Sequence, residues 1–408
     1  MAGSDDSVPS LLTLIQDADE ETFLRHVFRR FPEAQHLLDK SIPTPEGPRV
    51  LRPHSLTHKL FGDMADEGAI EVECALVGLR CLRHVVRGEY LEFTECQQVD
   101  EATRLTRGSF ISLRVWTMDF GLRTERALEL LVYMVVCGDL GKTHFIHRCY
   151  NRLFASPDAA DKVNHDQRFV AVLRRLPDVL PGFQRFLHKE SQERLLTMLS
   201  TNLNFAQFIQ GESVPMNLRG LYILSAQNIV PQFLLAAFYE MAGAAGHKDS
   251  RGSVVMTEPT FQNFLAAREI VEEHPVQSAG DAKAIYQLYM RVRGDIIPDL
   301  VLADPMAPDA FAQARIAAMS LSNTQSEGTV VKLAWAALPE EDRATLTDEL
   351  NRDGFDSDKP ALVVTCASKM MRDAVESQDG VEGMKAGLRK LAAVFRKTQD
   401  RPEYVTEV

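Results

Sequence analysis

The sequence lacks most of the features that would name a function outright. Its six cysteines, Cys74, Cys81, Cys96, Cys137, Cys149 and Cys366, form no CxxC pair. Neither a zinc knuckle nor the disulfide framework of a small secreted chain is therefore expected, and the thiols read as reduced and mostly buried. No GxSxG elbow, no Walker-type glycine loop and no GxGxxG turn occurs, so Ser/His/Asp chemistry and glycine-cradled nucleotides have no support. No apolar run reaches the ~20 residues of a membrane-spanning helix. The acidic start at 1–6 and the short apolar run at 11–15 lack the basic flank of a signal peptide. A cytoplasmic protein without a membrane span is expected. Long basic tracts are missing too, and 45 Lys and Arg face 57 Asp and Glu. Nucleic acid is accordingly not an expected partner.

What remains is an ordinary globular composition, 45% hydrophobic and 25% charged, on 408 residues, enough for two or three structural units. Helical spacing dominates it. Phe23, Leu24, Val27, Phe28 and Phe31 give an amphipathic opening helix over 20–40. Four prolines, at 43, 45, 48 and 53, make 41–53 a loop. A helix from Ile70 would bury Val72, Ala75, Leu76, Leu79, Leu82 and Val86 on one face. Thr124 reads as the N-cap of a strongly apolar helix that Gly138 interrupts. Further helices are expected over 167–176, 192–209, 231–244, 260–273, 282–293, 310–321 and 382–397, with linkers at 246–258 and 323–328. The β-branched stretches 254–256 and 361–365 are too short to define a sheet. The expected fold class is all-α. It divides into an N-terminal helix and proline loop (1–53), a helical core carrying the site (54–245) and a C-terminal helical region (246–408).

The passage LLVYMVVCGDLGKTHFIH, 130–147, is the richest in chemistry. An apolar helix end runs into Gly138-Asp139-Leu140-Gly141-Lys142, where two glycines would let the backbone turn and bring a carboxylate out of the core. Lys142 is placed to hold a phosphate oxygen. His144 and His147 follow, and Asn164-His165-Asp166 offers a second imidazole–carboxylate group. As plain punctuation the same run is a helix stop with a lysine suited to the dipole. A second candidate is Asn202 to Glu212. On a continuous helix Asn204, Gln207 and Glu212 would share a face beside Phe205 and Phe208, forming a cavity wall, or a partly buried face with amide hydrogen bonds.

The run VVCGDLGK resembles the signature of the HD-domain family of metal-dependent phosphohydrolases, in which an apolar helix ends in His-Asp, an apolar residue, Gly and Lys. The resemblance implies an all-helical fold and a divalent metal, Mg or Mn. Asp139 would be a metal ligand, with His165, Asp166 and His144 assisting, and Lys142 would hold a small-molecule phosphate- or diphosphate-ester substrate. Gly138 stands where the signature histidine would be, which argues for one metal rather than two. The Asn204-to-Glu212 spacing is similar to the second metal motif of class I terpene cyclases, with Phe208 in place of its hydroxyl residue. It leaves open a lyase that ionises a prenyl diphosphate. A non-catalytic helical interaction protein is the third possibility. The sequence carries no sign of oligomeric state.

Overall fold

The computed structural model describes residues 9–38, 54–62, 70–97, 103–156, 160, 163–185, 187–304, 306–356, 358, 361–365, 367–377 and 380–398. Among them there is no strand, and the fold is all-α. The 41–53 loop and Cys366 lie outside the described residues, and the five cysteines within them are free thiols. No helix is long and apolar enough to cross a membrane among the described residues. The chain divides into two compact units, one of residues 1–202 with 228–262, the other of 203–227 with 263–408.

The first unit opens with α1 (Leu11–Asp17), α2 (Glu20–Arg30), α3 (Leu56–Phe61) and α4 (Ile70–Arg87). Pro32 ends the expected opening helix early, and a 3-10 stretch, Pro32–Leu38, takes over. Next come α5 (Tyr90–Phe93), α6 (Arg107–Phe120), α7 (Glu125–Cys137), α8 (His144–Leu153), α9 (His165–Arg175), α10 (Pro181–Arg185) and α11 (Lys189–Ser200). The second unit contributes α12 (Phe205–Ile209) and α13 (Gly220–Ala226), and the first resumes with α14 (Val230–Gly243). α15 (Glu258–Glu273) leads into the second unit, which finishes with α16 (Ala279–Gly294), α17 (Pro308–Met319), α18 (Gln325–Ala336), α19 (Glu340–Leu350), α20 (Ala367–Ser377) and α21 (Gly380–Thr398). Of the expected linker at 323–328 only Asn323 and Thr324 lie outside a helix, and Thr324 caps α18 in a reciprocal capping box with Glu327.

In the first unit α4, α7 and α14 form the core. The apolar periodicity read from Val72 to Val86 is buried as expected except for half-buried Ala75, and so are Leu128 to Cys137 of α7. α4 and α14 touch main chain to main chain: a Cβ on Gly78 would sit 2.8 Å from the Tyr239 carbonyl oxygen, and one on Gly243 would overlap the Cys74 carbonyl. These contacts run in opposite senses along the two helices, so the pair is antiparallel. Two carboxylates are sunk here for structural reasons. Glu73, 1% exposed, accepts from Ser55 Oγ at 2.7 Å, Leu56 N at 2.8 Å and Thr57 N at 2.9 Å, holding the start of α3. Glu33, equally buried, accepts from Gly182 N, Phe183 N and the Tyr133 hydroxyl. Both saturate the free N–H groups that a helix start leaves.

The second unit has an aromatic floor. Phe205 and Phe208 pack against Phe264, Tyr286 and Tyr289. Arg315, 1% exposed, crosses this region and donates to the carbonyls of Gly211, Ser213 and Leu350. A second apolar core joins α17 to α21 through Ile316, Trp335, Leu346, Leu388 and Phe395.

Candidate active site

The chemistry-bearing side chains of the first unit gather where α7 runs out. Gly138 does not break the helix: its φ of −53° and ψ of −41° are helical, and Gly138–Lys142 continues as a 3-10 turn. The expectation that the two glycines permit a sharp turn is corrected here. They are needed for close approach instead. A Cβ at Gly138 would lie 2.9 Å from Glu240 Oε1, and one at Gly141 would overlap the His165 carbonyl. Gly138 thus admits α14 and Gly141 admits the start of α9.

The result is a charged cleft. Lys142 Nζ lies 2.8 Å from Asp139 Oδ1 and 3.2 Å from Glu71 Oε2, so one ammonium bridges two carboxylates. Glu71 comes from the first turn of α4 and also shares a hydrogen bond with Asp139. Asp139 and Lys142 keep 44% and 35% of their side chains open to water, so the group is reached by solvent rather than sealed in the core. Desolvation, followed by the Asp139 charge, pushes Glu71 up to about 7. Burial works the same way on Asp139, but Lys142 and then His165 outweigh it and hold that carboxyl below the usual range. The two sites share their protons as a pair. Lys142 is driven above its ordinary value by Asp139 and Glu71, against desolvation, and stays charged. Glu240, on the rim of α14, is raised to about 8, chiefly by desolvation and then by Asp139 and Asp166. Glu240 is exposed to solvent, which screens its shift, whereas Glu71 is half-buried.

Four of the expected residues meet in this field. Asp139 and Lys142 are its centre. His165 and Asp166, 3.3 Å apart on the first turn of α9, act electrostatically on Asp139 and Glu240 respectively. His144 heads α8, half-buried, beneath its Thr143 cap. Cys74, on the turn after Glu71, donates its thiol to the Ala244 carbonyl at 3.3 Å, and its Sγ is 3.9 Å from His247 Nδ1. Burial, then Glu71 and Asp139, push that thiol up to about 12, so it stays protonated. Among the described residues no group of three or more His, Cys, Asp or Glu is arranged to hold a metal ion.

The second expected cluster does not assemble. Helix α11 stops at Ser200, and Asn202 adopts φ of +54°, so the continuous helix through 192–209 is broken. Asn204 is the N-cap of five-residue α12 and accepts from Gln207 N. Gly211, at φ +67°, turns the chain away, and Glu212, 2% exposed, accepts from Ser368 N at the start of α20. Phe205 and Phe208 are core side chains rather than cavity wall. Asn204, Gln207 and Glu212 belong to the second unit, Asp139 to the first.

Glu71 and Glu240 were missed. Glu240 had a signal, being the one charged residue in the apolar helix VPQFLLAAFYEMAG. Glu71 and Glu73 look alike in sequence, and only their surroundings separate a proton-sharing carboxyl from a saturated cap.

No curated protein and no solved structure matches the chain. Residues 23–408 match the model of a family of unknown function (DUF6829), and the chain belongs to that family.

Proposed function

We propose that the cleft around Asp139 is the active site of a phosphate- or diphosphate-ester hydrolase that works by general acid–base catalysis. The observation that carries this reading is the carboxyl pair Glu71–Asp139, sharing a proton beside the Lys142 ammonium. A carboxyl whose proton leaves near pH 7 is suited to protonate a leaving oxygen and then to accept a proton from attacking water. Lys142 has three donors and spends two on the pair, leaving one for a phosphoryl oxygen. In the step, water adds to phosphorus as the P–O ester bond breaks. The shared proton moves to the departing oxygen, and the proton of the water returns to the carboxyl pair. Phosphate release from nucleotides and prenyl diphosphates tests this. Asp139→Asn and Glu71→Gln should each lower it by about 10²-fold or more. Full activity in either variant, or none in the wild type, would remove the proposal and favour a non-catalytic interaction protein.

A metal-dependent version of the same hydrolysis is favoured by one further observation: α9 brings His165 and Asp166 into the field of Asp139. Bound Mg or Mn would polarise the phosphoryl oxygen. Asp139, His165 and Asp166 would be the donors, but they would have to draw closer than they stand, and Lys142 would have to release Asp139. Calorimetry on chelator-treated protein separates the two versions. Heat with Mg or Mn that vanishes in Asp139→Asn supports the metal; activity that persists in chelator supports the proton pair.

The raised carboxyl also predicts a pH dependence. Its folded value, about 7, exceeds its ordinary 4.5, so the folded state holds a proton that the unfolded chain releases between those limits. The stability it contributes is complete below the lower limit and is lost as pH rises through the upper one. The Tm difference between wild type and Glu71→Gln should therefore shift steadily against the wild type from about pH 5 to about pH 8. A difference independent of pH would show that Glu71 titrates normally.

A further inference from the structure

Within the first unit, α1 packs on α4 and α7, and α2 packs on α4. The underside of this helix pair is apolar, with Leu14, Ile15, Phe23 and Val27 buried. Its fastenings are polar. Arg83 donates to the Ala18 carbonyl at 2.8 Å and Arg87 to that of Gln16, so α4 grips the bend between the two helices. Arg80 pairs with Glu20 at the start of α2. From α7, Glu125 accepts from the first amides of α1, and Glu129 holds Arg30 at the end of α2.

Two histidines sit among these fastenings. His84, 6% exposed, donates from Nδ1 to Glu89 Oε2 at 2.8 Å, and the same carboxylate holds Arg87 and, at 3.5 Å, Arg83. Also around His84 are Arg80 of its own helix and Glu20 of α2, with Lys59 of α3 3.8 Å from Glu20. Arg114 of α6 donates to the Val86 carbonyl nearby. His26, on α2, feels Arg29 and Arg30 of its own helix and Glu125 of α7, with Glu129 beyond Arg30. In both rings Nε2 is closed to water and has no hydrogen-bond partner among the described residues. A neutral imidazole can keep a bare lone pair there. The charged form must place an N–H there, a buried donor with no acceptor.

We infer that α1 and α2 form an acid-loosened strap, whose grip on α4 and α7 weakens when His84 and His26 take up protons, opening its apolar underside to solvent. Burial holds His84 below its ordinary value against the pull of Glu89, and burial followed by Arg30 and Arg29 does the same to His26. With the strap open both rings meet water and ionise at their ordinary value, 6.5. Opening is therefore favoured progressively as pH falls below that value. Other groups of the seam do not supply this response. Against desolvation, Arg80 holds Glu20 low, and His84 with Arg87 hold Glu89 low, so both stay ionised over the same range. Glu129 is shifted upward by burial, which favours the closed strap in acid. The inference does not rest on the carboxylate cleft.

Hydrogen exchange on the full chain, read by mass spectrometry and corrected for the intrinsic pH dependence of amide exchange, tests it. Between pH 7.5 and pH 5.5 the protection of α1 and α2 should fall at least about threefold, while that of α14 holds. Glutamine stays neutral at every pH, so the double variant His26→Gln, His84→Gln should lose the response. His26→Gln alone, at a half-buried position, should reduce it, which keeps the test decisive if His84→Gln does not fold. Protection of α1 and α2 that ignores pH, or an acid loss spread evenly over the first unit, would overturn the inference. So would an undiminished response in either folded variant.

Discussion

Gly141→Ala is expected to destabilise the first unit by about 3 kcal/mol or more, the upper end of overpacking costs. The added methyl would overlap the carbonyl of His165, and neither side of that contact is a flexible side chain. One side is the 3-10 turn carrying Asp139 and Lys142, the other the first turn of α9. Relief requires α9 to move, which takes His165 and Asp166 away from Asp139. Thermal unfolding should record the loss, and a crystal structure of any folded fraction should show His165 displaced. A variant with wild-type Tm and unmoved α9 would mean that the packing at Gly141 is looser than described. Gly138→Ala is a useful companion, since there the obstacle is the tip of a glutamate side chain, which can swing. It should cost far less stability while still disturbing Glu240.

Arg315→Met should cost about 3 kcal/mol in the second unit. The guanidinium is fully enclosed and held by carbonyl oxygens alone, with Tyr286 beneath it at 5.5 Å. Desolvation pulls its ordinary value down, and the carbonyls and the Tyr286 face offset part of that penalty. Methionine restores the volume but none of the donors. The Leu350 carbonyl is left without Arg315, whereas the Gly211 and Ser213 carbonyls still accept from the Tyr286 hydroxyl. One orphaned buried oxygen and a lost buried cation clamp give the quoted magnitude. Urea unfolding followed by Trp335 fluorescence would measure it; a gain in stability would show that the buried charge costs more than it returns.

The helices were legible because apolar spacing is a local property. Most expected segments match to within a few residues, and the clearest, α4, α7 and α14, build the core of the first unit. Legibility failed where a single residue decided between continuation and interruption. Pro32 ends α2 where the pattern predicted more helix, and left-handed Asn202 cuts a run whose apolar spacing continues through it. Gly138 was misread in the opposite sense, since a glycine in helical geometry looks like a stop until its neighbour is known. At the candidate site, Asp139 and Lys142 were singled out from their place at the end of an apolar helix, and His165 with Asp166 as neighbours in sequence; the structure brings the four near one another. Glu71 was out of reach because it lies 68 residues from Asp139 in the chain. Asn204, Gln207 and Glu212 were grouped by assuming one uninterrupted helix, and the grouping fell with that assumption.

The glycine seam between α4 and α14 bears on what the cleft will accept. Ordinary helix pairs are separated by a layer of side chains that can change rotamer and let one element slide past the other. Here backbone rests on backbone at Gly78 and Gly243, and no such lubricating layer exists. Glu71 and Glu240 are consequently mounted on a frame with little give. For the hydrolase proposed above, molecules a methyl group too large at that opening should be rejected outright, rather than accommodated with a graded loss of affinity.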